Sequence, residues 1–571
     1  MQAFPLYPER TITDLNGIWQ FRFCEKTYLE DVCEENFEPN DIMCVPGTFD
    51  TTPAYRCKRG TGLYRREFLL TKDSPRGILK VGAIGLRARF RIDGREVGFT
   101  NLPYSGVEFE TGPLKAGRHV ITAAIDNNFD KISTQYGPGD KMKLFLPYYD
   151  FYAFGGFYRG ISLHQVFETA IDRVQVRPLC IETGKVSLRF LFSGSTEGKQ
   201  SVRFRFDTET GFRTVEVGHG ETIECTVPDF RLWTLEKPEL HTVEVHTACD
   251  CIVERFGIRT IKAGKKQILL NGKPVYLKGF NRHESHPEFG AATPEAVMLE
   301  DLQNLRDLNC NFVRGCHYSQ DQRFLDFCDE FGILVWEESL GWGNSAEQMA
   351  DEEFQELAEA ETRIMVRNSI NHPSVIIWAF LNEHHSHTPE GRNITERLVN
   401  AIKEEDSSRP VTFACCHSTD DISSELVDII SYNIYPGWIG DHLVGVEPPD
   451  EIPPKQKTTI EYFRRTASAD KPMIVSEMGC CGIYGQRDIA KTQWSEEFQA
   501  EYVGAVIRSV ASVPEELCGI TIWQFNDAMS FHRMGADIRS KPLGLNLAGA
   551  FDKFRRRKLV ADVVKDLYKD L

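Results

Sequence analysis

A chain of 571 residues exceeds what one hydrophobic core can organise, so three or four domains are expected. Its 41% hydrophobic and 26% charged content is that of an ordinary globular protein. A net charge of -17 argues against a nucleic-acid or anionic-membrane surface, while one local Arg or Lys can still hold an anionic small substrate.

The first residues, MQAFPLYPERTITDL, carry no basic region followed by an apolar run, so no signal peptide is read. Apolar stretches such as VIIWAFL (375–381) fall far short of a membrane span. A cytoplasmic location is therefore expected. The sixteen cysteines, with no C-x-x-C among them, are expected to remain thiols. The doublets Cys415-Cys416 and Cys480-Cys481 read as small buried hydrophobes, and no structural zinc is predicted.

Residues 1–165 contain short β segments broken by Gly, Pro, Asn and Asp, among them GIWQFRF (17–23), GLYRREFLL (62–70) and HVITAAIDN (119–127). In ARFRIDGREVGF (88–99), Asp93-Gly94 is a hairpin turn signal between alternating runs. The region reads as a jelly-roll β-sandwich. Alternation continues over 166–262 in KVSLRFLF, SVRFRFDT, ETIECTV and HTVEVHT, at a size that suits an immunoglobulin-like sandwich.

From 263 to 571 strands alternate with helices. Eight strand candidates appear: VYLKGF (275–280), FVRGC (312–316), ILVWE (333–337), VIIWAFL (375–381), VTFAC (411–415), IISYNI (429–434), PMIVSE (472–477) and ITIWQF (520–525). Thr293 with Pro294 and Glu295 predicts one helix start, Ser319 opens the next helix, and Gly332 closes it. The acidic stretch 351–366 reads as an exposed amphipathic helix. Near-continuous apolar strands in eight such units predict a (β/α)8 TIM barrel.

In that architecture chemistry sits at the C-terminal ends of the strands. Strand four ends in Asn382-Glu383 and strand seven in Glu477-Met478-Gly479. Two carboxylates facing each other across a barrel mouth suit glycosidic cleavage: one protonates the leaving oxygen while the other attacks the anomeric carbon. At about 5–5.5 Å apart they leave no room for water, which predicts the retaining route. The remaining strand ends supply Asn281-Arg282-His283-Glu284, Arg314, His317-Tyr318, Glu337-Glu338, Asn433, Tyr435 and Trp523. An Arg or Tyr beside the nucleophile keeps it ionised, and Trp523 offers a face to a sugar ring. His283 and His317 find no third metal ligand at a convincing spacing and read as contacts to sugar hydroxyls.

These residues resemble glycoside hydrolase family 2, the β-galactosidase/β-glucuronidase group, over nearly the whole chain. VPGTFD with GTGLYRREF is similar to the family's N-terminal sandwich, and DFYAFGGFYRGISL (150–163) to the segment that sandwich extends toward the active site. GFNRHESHPEFG (279–290) and FVRGCHYSQDQRFLDFCDEFGILVWEE (312–338) resemble the first three barrel strands; NHPSVIIWAFLNE (371–383) and KPMIVSEMG (471–479) resemble the acid/base and nucleophile motifs. The resemblance implies Glu383 as acid/base, Glu477 as nucleophile and Tyr435 against the nucleophile; Arg314, at the end of strand two, is read from its place as a second support. It places Asn382 near the sugar 2-hydroxyl, Asp150, His283 and His317 on ring hydroxyls, and Trp523 below the ring. With Asp150 coming from the first sandwich, the site is composite.

The chain departs from the family in two places. Where long β-galactosidases carry a Glu-x-His magnesium pair, GWGN (341–344) has Trp342 and Asn344, so no metal or other cofactor is expected. Where glucuronidases read the substrate carboxylate with Asn-x-Lys-Gly, this chain has Asn546-Leu547-Ala548-Gly549, keeping Asn546 but replacing the lysine; Arg533, Arg539 and Lys541 are candidate substitutes. The expectation is a retaining exo-β-glycosidase that takes a small-molecule glycoside or oligosaccharide, with a neutral β-galactoside preferred. A β-glucuronidase or β-galacturonidase with a relocated cation is the alternative, and an inactive carbohydrate-binding protein is the rival from another class. Large subunits of this kind often form homo-oligomers; the sequence itself carries no interface signal.

Overall fold

The computed structural model describes the chain except residues 1–3, 35–36, 129–150, 437–448, 467, 531–542 and 544. The expected sites at Asp150, Arg533, Arg539 and Lys541 lie outside the described residues.

Two antiparallel sheets form the first sandwich. One is ordered Thr11–Asp14, Ile161–Val166, Ser74–Val81, Val107–Leu114; the other Asp41–Val45, Gly17–Glu25, Gly60–Leu70, Gly117–Asp126, Arg87–Ile92, Arg95–Thr100. Their inward positions bury Trp19, Phe21, Tyr64, Phe90 and Phe157 in one core. The predicted hairpin turns at Asp93 (φ 50°) and Gly94 (φ 79°). Positive φ at both central residues matches the twist of the flanking strands, and Asp and Gly tolerate it well. A second sandwich packs the sheet Thr169–Cys180, Lys185–Gly194, Thr222–Thr226 against Arg213–Val217, Gln200–Phe206, His241–His246, Cys251–Phe256 around Val174, Phe190, Phe204 and Phe256.

All eight expected parallel strands are present, at Leu277–Arg282, Phe312–Gly315, Leu334–Glu338, Val375–Ala379, Val411–Cys415, Ile430–Asn433, Met473–Met478 and Gly519–Ile522. The fifth is interrupted at Phe413: Val411–Thr412 pairs with strand four and Ala414–Cys415 with strand six. Strand one pairs with both strand two and strand eight, so the sheet closes into a barrel. Every residue of Val375–Ala379 is buried, as expected of a strand covered on both faces.

Two helix starts differ from expectation. The helix expected to open at Ser319 spans Gln322–Phe331, because the Asp321 carboxylate accepts the Arg323 N–H at 2.9 Å and takes the cap position. The helix Glu295–Asp307 is preceded by Pro294 in extended conformation, so the proline, not Thr293, occupies its cap. Gly332 closes its helix at φ 70° as read, its N–H donating to Cys328 O. The acidic helix Glu352–Ser369 is amphipathic, burying Phe354, Ala358, Met365 and Val366. All sixteen cysteines are free thiols; Cys415, Cys480 and Cys481 are buried as read, but Cys416 is exposed. Cys416 follows the last residue of split strand five and faces the barrel mouth beside Glu383, its Sγ 3.9 Å from Glu383 O.

Candidate active site

Strand register sets the level at which polar side chains enter the barrel. Arg314 aligns with Asn281 on one side and Trp336 on the other, and Asn433 aligns with Glu477. Strand seven slips by one residue between Val475 and Glu477 relative to strand six. A bulge of this kind re-aims side chains, and here both Ser476 and Glu477 reach inward groups: Ser476 Oγ donates to Asn433 Oδ1 at 2.7 Å, while Glu477 meets Arg314.

Both oxygens of Glu477 are held. Arg314 Nη1 donates to Oε1 at 2.5 Å and Tyr435 Oη to Oε2 at 2.5 Å. Arg314 is fully buried, and it also donates to Glu338 at 2.8 Å, to Asn281 Oδ1 at 2.9 Å and to Asn382 Oδ1 at 2.8 Å. Burial opposes its charge, yet Glu338 and Glu477 together raise its pKa, so it stays cationic. Burial also raises the Glu477 pKa above its ordinary value, against the Arg314 charge and the Tyr435 hydrogen bond, both of which favour the carboxylate.

Glu383 lies just beyond strand four with φ 54°, two residues after Leu381 at φ 43°. Left-handed backbone at two non-glycine residues costs about 1–3 kcal/mol each and persists only where neighbours enforce it. Here Asn382 N–H donates to Gly341 O and Glu383 N–H to Ala414 O, both at 2.9 Å. Asn433 Nδ2 donates to Glu383 Oε1 at 2.8 Å and to Asn382 Oδ1 at 3.1 Å. The two carboxylates are thus joined through Asn433, Asn382 and Arg314. Asn382 Nδ2 is buried and keeps no protein partner among the described residues, so it remains available to a ligand.

His317 is fully buried, with Nδ1 2.8 Å from Glu338 Oε1. Burial and the Arg314 charge hold its pKa well below the usual value, so the ring is neutral. A neutral ring facing a carboxylate keeps its proton on Nδ1, which leaves Nε2, buried and unpartnered among the described residues, as an acceptor. His283 lies beside it (ring centroids 5.4 Å apart), its Nδ1 3.3 Å from Tyr318 Oη. Trp523 stacks on His317 at 5.4 Å and meets His283 edge-on at 5.5 Å.

The first sandwich reaches this mouth directly. Phe151 packs on His283 and His317 (5.1 and 6.1 Å), Tyr104 stacks on Tyr318 at 3.8 Å, and Arg159 donates to Glu284 at 3.1 Å and to Ser319 O at 2.6 Å. A neighbouring cleft of about 720 Å³ between sandwich and barrel includes neither carboxylate.

Asn546 is buried, its Oδ1 accepting the Ala548 N–H at 3.3 Å, and Ala548 packs with Trp523, Leu547, Cys316 and Cys481. The nearby Lys558 is also buried, but its ammonium is spent on Asp527 (2.7 Å), Gly482 O (2.7 Å) and Leu547 O (3.0 Å).

Cys316 supplies the third group that sequence spacing did not offer: one ligand atom each from His283, Cys316 and His317 lies within 4.8 Å of the others. Burial holds the Cys316 thiol well above its usual pKa, which works against the thiolate a metal needs. Asn433 and Glu338 were visible only as strand-end polar residues; their task of bridging and buttressing the two glutamates appears once the barrel closes.

Several known proteins resemble this chain along its length. β-Glucuronidase of Chlorocebus aethiops is 28% identical over 100% of this chain and 93% of that protein. β-Glucuronidase of Streptococcus agalactiae is 27% identical over 91% and 92%. The crystal structure of a GH2 β-galacturonidase from Eisenbergiella tayi bound to glycerol superposes with a TM-score of 0.88 at 29% identity, covering 100% of this chain and 98% of that one. Residues 169–259 match the family description "Glycosyl hydrolases family 2", and residues 261–542 match "Glycosyl hydrolases family 2, TIM barrel domain". The chain belongs to glycoside hydrolase family 2 and is a glycoside hydrolase.

Proposed function

We propose that the chain is a retaining exo-β-glycosidase in which Glu477 is the nucleophile and Glu383 the acid/base. The observation that carries the assignment is the unequal treatment of the two carboxylates. Glu477 is gripped through both oxygens by a guanidinium and a phenol, which favours its anion. Glu383 receives the neutral amide of Asn433, which tolerates a protonated acid. In the first step Glu383 gives its proton to the glycosidic oxygen as a Glu477 oxygen bonds to the anomeric carbon and the aglycone leaves as an alcohol. In the second, Glu383 takes a proton from water, whose oxygen displaces Glu477 and releases the sugar. Asn382 Nδ2 and His317 Nε2 are the ring-hydroxyl contacts this reading favours, with Trp523 beneath the ring. Asp150, which precedes Phe151 in the sequence, is proposed as a further ring-hydroxyl contact.

For the sugar, relatives named β-glucuronidase and β-galacturonidase along the whole chain favour a uronide over the neutral galactoside expected from Ala548. A uronide carboxylate needs a fixed cation. Lys558 is fully occupied, so the proposal assigns that role to Arg533, Arg539 or Lys541.

Glu477→Gln should lower turnover by more than about 10⁴-fold, and Glu383→Ala with azide should give a β-configured glycosyl azide. An inverted first-formed sugar by NMR refutes the retaining route. The assay for the sugar is kcat/KM on nitrophenyl β-glucuronide, β-galacturonide and β-galactoside. A galactoside preferred tenfold over both uronides refutes the uronide reading and leaves the two carboxylate roles standing.

A further inference from the structure

Glu383 is followed by His384-His385-Ser386-His387, a histidine run with no role in the proposed mechanism. His384 is buried with both ring nitrogens engaged, Nδ1 with Leu381 O at 2.9 Å and Nε2 with Thr395 Oγ1 at 3.0 Å. The other two turn toward the loop after strand five. The His387 and His417 ring centroids are 3.8 Å apart, and His385 lies 5.3 Å from His387 and 5.8 Å from His417. Asp420 Oδ1 is 3.5 Å from His417 Nδ1. One ligand atom from each of His387, His417 and Asp420 lies within 4.8 Å of the others.

The cluster is held and reachable. His385 N–H donates to Asn344 O at 3.0 Å, and Ser423 Oγ donates to Ser386 O at 2.6 Å, so the segment is fixed by contacts outside the cluster. The three imidazoles are half-buried and Asp420 is exposed. His387 Nδ1 is shielded from water and has no hydrogen-bond partner among the described residues. In the cluster Asp326, Asp329 and His372 the groups are committed: Asp329 holds His372 at 2.6 Å and Asp326 holds Arg255 at 2.5 Å.

We propose that His387, His417 and Asp420, with His385 completing the shell, form a binding site for a zinc-type divalent transition-metal ion. Three imidazoles and a carboxylate are the donors such an ion takes in tetrahedral geometry, with bonds of about 2.0–2.2 Å. Magnesium and calcium, which need mostly oxygen ligands, are disfavoured. The ion would tie the loop after strand four, which carries Glu383, to the loop after strand five, stiffening the rim beside the acid/base without touching the sugar.

The test uses the full chain stripped with chelator and then titrated with Zn²⁺ alone. Calorimetry should give one Zn²⁺ per chain at micromolar or tighter Kd, and Zn²⁺ but not Mg²⁺ should raise Tm. His417→Ala and Asp420→Asn should each weaken binding at least tenfold and remove the Tm gain. Asp420 is exposed, so its variant reports even if a histidine variant folds poorly. Absence of Zn²⁺ binding overturns the proposal, and so does binding with an undiminished Tm gain in Asp420→Asn and His417→Ala, which would place the ion elsewhere, for instance at His283, Cys316 and His317.

Discussion

Tyr435→Phe isolates how the proposed nucleophile, Glu477, is kept ionised. The phenol donates to Glu477 Oε2 at 2.5 Å, while Arg314 holds Oε1 and burial pushes the carboxyl pKa up. A hydrogen bond to a charged group is worth about 1.5–3 kcal/mol, and 1.36 kcal/mol corresponds to one pH unit of titration. The phenol favours the anion, so removing it raises the Glu477 pKa. The group works as the anion, so the acidic limb of the kcat/KM profile moves upward by about one to two pH units. On the plateau the lost hold on the attacking oxygen lowers kcat/KM by about 10–100-fold. The assay is a kcat/KM profile from pH 4 to 9 on a nitrophenyl glycoside, for both proteins. An acidic limb that stays in place or moves downward would falsify the argument that Tyr435 sustains the ionised nucleophile. A loss on the plateau alone would leave it only a positioning role.

Three further outcomes are expected. Glu361 is buried against Ser105 (2.6 Å), and burial raises its carboxyl to about 8. Its folded pKa lies above the unfolded one, so the stability it lends is full below about pH 4.5 and is lost as pH rises toward 8. Glu361→Gln should therefore raise Tm at pH 8 and change it little at pH 5, and a Tm difference equal at both pH values sinks that reasoning. A Cβ on Gly479 would meet Trp523 O at 2.0 Å, so Gly479→Ala should displace the end of strand eight and lower kcat/KM more than tenfold; full activity in that variant contradicts the packing described here. EDTA should leave hydrolysis unchanged, since the proposed mechanism runs on the two carboxylates alone. A loss of more than half the activity, reversed by Mg²⁺, counts against that.

The sequence by itself determined the eight strands, the two sandwiches before them and the strand-end places of Glu383 and Glu477, because each rests on a local signal. Apolar runs of five to seven residues mark covered parallel strands, and a carboxylate directly after such a run must emerge at the barrel mouth. The strand ends offered Arg314 and the resemblance to the family added Tyr435, and both donate to Glu477 in the structure. Other features depend on which strands become neighbours, and at what register. The slip that turns Ser476 and Glu477 inward together, and the bridge through Asn433, exist only in the assembled sheet. Cap positions followed the same rule: Asp321 outcompeted Ser319 through a contact that spacing alone does not rank. Cys416 looked like half of a buried doublet, yet the end of split strand five turns it toward the cleft. His387 and Asp420 are more than thirty positions apart in the chain, and only the pairing of strands four and five, which sets the loops after them side by side, brings their ligand atoms together. Periodicity and motif spacing encode what a segment is; the meeting of distant side chains is decided by the packing energy of the whole barrel.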